Sequence, residues 1–351
     1  MRKSFDDDES RVNYVTFDAL RGIAALAVVL YHLLPAAGFI QAIPRGYLAV
    51  DLFFVLSGYV IAQAYGARLQ SGMSLGRFMT IRLVRLYPLF ILGQLLGVLA
   101  LAVAGHEFGL LLMALAAGAV LAPIPLTVNE APLIFPLNGP AWSLFFELAV
   151  NVAFVFLIPL GFRKMVGLCA LSALAVSAAA AKFGSMDMGW NVYNFIGGFP
   201  RVTFSFLAGA ILFHLAARPK DGSLIPLILM MAVLAVLSVT VQGWWIDLFI
   251  VLLVFPAVIL LAAAWQPTGR IKAVSKLLGG ISYPLYIIHA PLLHLGSAVI
   301  HRWNLSTLQS GLAWAVVFSL IVILSHVVMS AYDQPIRRAL HSLSKKQKPA
   351  L

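Results

Sequence analysis

An arginine and a histidine share one stripe of the first apolar run. The segment from Phe17-Asp-Ala-Leu-Arg-Gly to Tyr31-His-Leu-Leu34 carries Asp18, Arg21 and His32 through a stretch otherwise suited to lipid. An ionisable group inside a spanning helix costs on the order of 2.5 kcal/mol or more, so it normally faces the interior of a bundle and marks a functional pathway. Eleven residues separate Arg21 from His32, which on a helix is three turns plus roughly 20° and about 16 Å of rise. The stripe can hold a long ligand, its anionic part at the permanent cation and its reactive part at the titratable imidazole. The plainer reading pairs Asp18 with Arg21 at i,i+3 and leaves His32 as a polar residue at a helix end.

Other residues invite the same question. Asp51, in Val50-Asp-Leu-Phe-Phe-Val-Leu-Ser-Gly58, enters the second span at a depth similar to that of His32. It either fixes the imidazole tautomer or serves as a first-turn carboxylate favoured by the helix dipole. Ser57-Gly58 reads as a close-packing pair rather than a nucleophile. Arg82 and Arg85, at i,i+3 before Tyr87-Pro88, share a face and suit bidentate capture of phosphates. Pro140-Ala-Trp-Ser-Leu-Phe-Phe-Glu147 places Trp142 and Ser143 at the entrance of a span and Glu147 about 10 Å inward. A buried Glu needs a partner, and Arg201, about 9 Å along another span entered from the same side, is the expected one. Ile281-Ser-Tyr-Pro-Leu-Tyr-Ile-Ile-His289 supplies Ser282 and Tyr283 at the level of Arg21, while Tyr286 and His289 lie deeper. These two read as cavity lining or as ordinary interhelical hydrogen bonding. His294, His301 and His326 have no motif around them. The single Cys169 allows no disulfide within one chain, and no metal site is expected.

The elements that must position these residues are membrane helices. Hydrophobic residues make up 62% of the 351, with a mean hydropathy of +0.96, well above soluble domains. The first apolar run is too long and too acidic at its start for a cleaved signal peptide, so it is expected to stay. Spans are expected at about 17–34, 47–66, 84–105, 140–160, 165–183, 195–216, 224–241, 245–265, 278–300 and 308–331. An eleventh apolar stretch, 107–126, is arbitrated by charge. If it does not cross, nineteen of the 24 Lys and Arg fall on the cytoplasmic side, and only Arg45, Lys182 and Arg302 lie outside. The expectation is therefore an all-α polytopic membrane protein of about ten helices plus one re-entrant or interfacial segment, with both termini cytoplasmic. Residues 1–16 and 333–351 would be cytoplasmic tails around a domain at 17–332. The net charge of +11 follows from this topology, and nucleic acid is not expected as a partner.

Taken together, Phe17-Asp-x-Leu-Arg21-Gly with His32 following, Val50 to Gly58, Arg82-x-x-Arg85, Pro140-x-Trp-Ser-Leu-x-x-Glu147, Ile281-Ser-Tyr-Pro-x-Tyr286 and Asp333-Gln-Pro335 resemble the membrane acyltransferase 3 family. The resemblance spans nearly the whole chain. Asp333 stands where relatives often carry Glu. The resemblance implies a multi-pass protein of the bacterial cytoplasmic membrane that moves an acyl group, typically acetyl, from cytoplasmic acyl-coenzyme A to a hydroxyl of a carbohydrate or glycolipid acceptor at the outer face. Arg21, Arg82 and Arg85, with Ser282 and Tyr283, would then hold the donor, and His32 with Asp51 would carry the chemistry. With no soluble domain after the bundle in this sequence, the membrane part is expected to engage the acceptor. A transporter or flippase of lipid-linked sugar would also need many helices and buried charges. It gives no reason for an arginine pair at one mouth and an imidazole on the stripe of Arg21.

Overall fold

Length and apolarity turn most of the chain into helices that can bury their backbone polar groups only within themselves, the condition a bilayer imposes. The computed structural model describes residues 14–128, 131–222, 224–300, 302, 303 and 305–346. His301, residues 1–13 of the expected N-terminal tail and residues 347–351 lie outside the described residues. The helices are α1 (Val15–Ala36), α2 (Ala49–Gln70), α3 (Leu75–Val103), α4 (Phe108–Ala119), α5 (Ala141–Leu157), α6 (Phe162–Phe183) and α7 (Gly198–Leu215). They continue with α8 (Ile225–Leu237), α9 (Trp244–Phe249), α10 (Phe255–Ala264), α11 (Gly269–Ile300), α12 (Thr307–Val328) and α13 (Gln334–Lys346). A π turn at Ile250–Val254 joins α9 to α10, and another at Met329–Asp333 joins α12 to α13. Among the described residues, nine helices are long and apolar enough to cross a membrane. The fold is all-α, apart from the short hairpin of β1 (Leu126–Val128) and β2 (Ala131–Leu133) and a two-residue pairing of β3 (Lys220–Asp221) with β4 (Trp265–Gln266).

Two expected segments are shorter than a span. The 107–126 stretch forms α4, 12 residues long, or about 18 Å. It doubles back along α3, where the Tyr87 hydroxyl donates to the Ala119 carbonyl and Gly118 abuts Gln94. The expected span at 224–241 holds only the 13 residues of α8, and extended flanks complete its reach. At one end Lys220–Asp221 pairs with Trp265–Gln266, and both residues of β4 bind Thr16 at the start of α1. At the other end the Leu237 carbonyl accepts from Arg45 N at 3.1 Å, beside the end of α1 that carries His32. Helices α3 and α11 begin earlier than expected, by nine residues each, so the basic segments before the apolar runs are helical too.

Small residues set the closest approaches. A Cβ on Gly22 would lie 2.3 Å from Leu278 Cβ, and one on Gly279 would lie 2.4 Å from Asp18 Cβ, so α1 and α11 nearly touch. Gly58 and Gly209 do the same for α2 and α7 against the Phe206 and Val55 carbonyls. Prolines free carbonyls that neighbours then satisfy. Pro291 cannot donate to Ile287 O, which accepts from Asn138 Nδ2 at 2.9 Å, and Pro35 leaves Tyr31 O to Gln41 Nε2 at 2.8 Å.

Buried ion pairs tie the His32 end together. Arg201 donates to Asp51 from Nε at 3.0 and 3.1 Å and from Nη2 at 2.7 Å, to Met188 O at 2.8 Å and to Tyr47 O at 2.9 Å. Its guanidinium lies 5.1 Å from the Trp142 ring centre, and both charged side chains are completely buried. This corrects two expectations. The partner of Arg201 is Asp51 rather than Glu147, and Asp51 turns toward α7 and accepts from Arg201 and Ser205 rather than from His32. Matching depth does not fix which way a side chain points around its helix. A second clamp joins Arg45 to Asp247 at 2.9 Å, with Tyr47 Oη donating to the same carboxylate at 2.7 Å.

Because every guanidinium nitrogen of Arg201 has an acceptor, Arg201→Ala or Asp51→Ala is expected to cost about 3–5 kcal/mol by stranding a buried charge. An apolar pair such as Asp51→Leu with Arg201→Met should recover part of it. Thermal unfolding of the four purified proteins checks this, and additive losses in the double variant would contradict the pairing.

Candidate active site

Most of the residues singled out by type and spacing converge on one cavity of about 400 Å³ enclosed by α1, α2, α3, α5, α11 and the α12–α13 junction, a volume in the range of small-ligand sites. Arg21, Arg82, Arg85, Ser282 and Tyr283 line it, as do Asp18, Ser143, Glu147 and Tyr286. Their elements explain the convergence. The α1–α11 contact sets Asp18 against Gly279 and Arg21 one turn beyond Asp18 on α1, while α3 presents Arg82 and Arg85 one turn apart. Tyr283 is pinned by its hydroxyl, which donates to Leu86 O at 2.7 Å, and Ser282 Oγ returns to Gly279 O at 2.7 Å.

Charge is concentrated at one end of this cavity. Three carboxylates each clasp one arginine: Asp18 holds Arg21, Glu147 holds Arg82 at 2.5 Å, and Asp333 holds Arg337. Glu147 also accepts from Ser57 Oγ at 2.9 Å, so Ser57 belongs to the cavity wall while Gly58 does the packing. Among the described residues no carboxylate clasps Arg85 or Lys276, both of which line the cavity. The Nε atoms of Arg82 and Arg337 and Asp333 Oδ1 are buried without a hydrogen-bond partner. Five cations against three carboxylates, with donors unspent, make this end a receptor for anions.

The other end is closed by aromatic and hydroxyl groups. Phe53 and Tyr286 meet edge to face, with centroids 5.6 Å apart. Tyr286 Oη lies 2.8 Å from Ser143 Oγ, which donates to Pro140 O at 2.9 Å. One turn farther along α11, His289 Nε2 lies 3.3 Å from His32 Nδ1. His289 is completely buried, whereas His32 is exposed. The two imidazoles, together with Asp51, Trp142 and Arg201, lie outside the cavity lining. Beside them the Tyr31 hydroxyl reaches Asp187 Oδ2 at 3.4 Å. In that loop, burial raises the Asp187 carboxyl above its usual range against the pull of Arg201.

Several residues escaped sequence reasoning. Lys276 lies upstream of the expected span, but it stands at i,i+7 from Tyr283 and so shares its face. The Asp333–Arg337 spacing of i,i+4 was a usable signal for a local pair. Nothing in the local sequence marks Arg45, Asp247 and Tyr47 as partners, which only the tertiary fold brings together.

What the arrangement can do chemically is bind an elongated anion by its charged end and direct its far end toward an imidazole pair. Comparison with known proteins agrees in kind. A family model described as "Acyltransferase domain" matches residues 14–330. The chain is also 38% identical over 187 residues to "Protein 2 in picA locus" of Rhizobium radiobacter, covering 48% of this chain and 96% of that one. No solved structure matches. With the match covering residues 14–330, the chain belongs to the membrane acyltransferase 3 family and is an acyltransferase.

Proposed function

We propose that this protein transfers an acyl group, acetyl being the one its family resemblance implies, from a cytoplasmic coenzyme A thioester to a hydroxyl of a glycan or glycolipid at the outer face of the bacterial cytoplasmic membrane. One observation carries the reading. Along α11 the lining of the anion-receptive cavity runs as far as Tyr286 and Ile287, within one helical turn of the His289–His32 pair. A donor with its phosphates among Arg21, Arg82, Arg85, Lys276 and Arg337 can extend its thioester along α11 toward His32. The rise from Lys276 to His289 is about 20 Å.

His32 acts as general base. Its Nε2 takes the proton of the acceptor hydroxyl as the oxygen attacks the thioester carbonyl, the C–S bond breaks, and the departing thiolate takes the proton back from Nε2 to leave as a thiol. The exposure of His32, set against the burial of His289, suits an acceptor arriving from one side and a donor from the other.

On this reading the chain crosses ten times, with both termini cytoplasmic. Support comes from α8, whose flanks reach from Thr16 at one end of α1 to the Arg45 loop at the other. Segment 107–126 enters and returns beside α3. Reporters fused near Thr127 and near Arg163 should then read extracytoplasmic and cytoplasmic respectively, and the same side for both would overturn the topology.

Loss of a charge-assisted contact costs about 1.5–3 kcal/mol, so Arg85→Ala should weaken binding of acetyl-coenzyme A by roughly 10- to 100-fold without loss of stability, because no carboxylate among the described residues depends on it. Arg82→Ala should weaken binding and also destabilise, since it strands Glu147. Equal donor affinity in wild type and Arg85→Ala, measured by equilibrium binding, would remove the arginines from the donor site.

His32→Ala should bind donor normally yet lose about 10²- to 10⁴-fold in transfer rate. In the wild type the rate should fall as pH is lowered through the range where imidazole protonates, because only the neutral ring can accept a proton. Near-normal turnover in His32→Ala would exclude it as the base.

A further inference from the structure

Hydrogen-bond geometry assigns the protons of the two histidines. His289 Nδ1 lies 2.7 Å from the Tyr286 carbonyl oxygen and 3.2 Å from that of Leu285. Carbonyl oxygens only accept, so Nδ1 carries a hydrogen. Among the described residues no carboxylate pairs with this completely buried ring. Burying an uncompensated charge is costly, so the neutral form is the relevant one and its lone pair sits on Nε2. That nitrogen faces His32 Nδ1 at 3.3 Å, and the Val28 carbonyl faces the same Nδ1 at 3.0 Å. Both groups around His32 Nδ1 are acceptors, so Nδ1 is the donor. The lone pair of neutral His32 is left on Nε2.

We propose that His289 is a positioning residue for His32: its Nε2 lone pair holds the His32 ring as the Nδ1–H tautomer and keeps the basic Nε2 turned away from the helix interior. The inference rests on the reading of His32 as general base. It gives His289 the place that a carboxylate holds in serine hydrolases, filled here by a neutral ring. The substitution has a physical reason. A carboxylate at this depth would be an unpaired buried charge whenever His32 is neutral, and the available carboxylate of α2, Asp51, is already committed to Arg201. An imidazole lone pair accepts from His32 Nδ1–H in both protonation states of His32 and needs no counter-charge in either.

The contact is a product of helix packing. Val28 and His32 are one turn apart on α1, and Leu285, Tyr286 and His289 occupy one turn of α11. The α1–α11 approach at Gly22 and Gly279 brings the two turns together. Further support stands behind His289. Asn138 caps the carbonyl freed by Pro291, and Tyr286 is held by Ser143, so the turn that carries the ring is fixed on two sides.

The test combines a spectroscopic readout with rescue. Protein carrying ¹⁵N-labelled histidine is reconstituted in nanodiscs, and His32→Ala assigns the His32 nitrogens. Wild type should show neutral His32 as a single Nδ1–H tautomer, and in His289→Leu, where the Val28 carbonyl remains as an acceptor for Nδ1–H, a measurable share of the Nε2–H tautomer should appear. Transfer from acetyl-coenzyme A should fall about 10- to 100-fold in His289→Leu, the range for loss of an orienting partner, with donor affinity unchanged. His289→Gln, whose carboxamide oxygen can accept from Nδ1–H, should restore the single tautomer and much of the rate. A proton on His32 Nε2 in the wild type overturns the proposal even if no variant folds. Unchanged tautomer and rate in His289→Leu, alongside an inactive His32→Ala, overturns the positioning role and leaves the base intact. Normal turnover in His32→Ala removes the base and the positioning role together.

Discussion

The site depends on how closely α1 lies against α11. Gly22 and Gly279 remove the side chains that would hold the helices apart, and in a bilayer such close packing supplies much of the association energy because lipid offers no hydrophobic penalty for separation. Once the two axes are in register, position along one helix is position along the other. Asp18 meets Gly279, Arg21 faces the cavity beside Ser282 and Tyr283, and His32 meets His289. On the proposed function, a ligand bound along this seam would be read by charge at one end and by imidazole at the other, although neither helix alone holds all of those groups.

Charged groups buried in the bundle fall into two kinds, distinguishable by how completely they are satisfied. Every guanidinium nitrogen of Arg201 and Arg45 meets a carboxylate or a backbone carbonyl. Such pairs cost desolvation and return rigidity. Arg82 and Arg337, by contrast, keep a buried Nε without an acceptor while lining a cavity. Buried polar atoms are rarely left unpaired without a reason. On the proposed function the reason is a bound anion, with the clasping carboxylates acting as counter-ions that keep the cations tolerable when the cavity is free of ligand.

Residue type and spacing made the cavity legible in the sequence, because arginines, hydroxyls and a histidine are costly to place in apolar runs unless a ligand or a partner meets them. Arg21, Arg82, Arg85, Ser282 and Tyr283 line one cavity, as their shared depth suggested. Partner choice was less legible. Asp51 and His32 have similar depth, as do Glu147 and Arg201, yet rotation about each helix sends Asp51 to Arg201 and Glu147 to Arg82. That rotation is fixed by contacts such as Gly58 and Gly209 on opposing backbones, which carry no pairwise signal in a single sequence. The apolar run at 224–241 read as a full span because averaged hydropathy does not register where the helix stops, and α8 stops at Leu237.

That short helix has a consequence for the surrounding lipid. With Leu227, Ile228 and Met231 exposed along it, α8 presents about 20 Å of helical length to a hydrocarbon layer about 30 Å thick. On the ten-crossing reading, the leaflets must draw together beside α8, or its extended flanks must be shielded, and either carries a modest cost per ångström of mismatch. Thinning at this flank would bring water and head groups toward the Arg45–Asp247 clamp and relieve the burial of its charges. Bilayer thickness would then tune the protein, with thin membranes favouring the folded bundle and thick ones straining the wall next to α1.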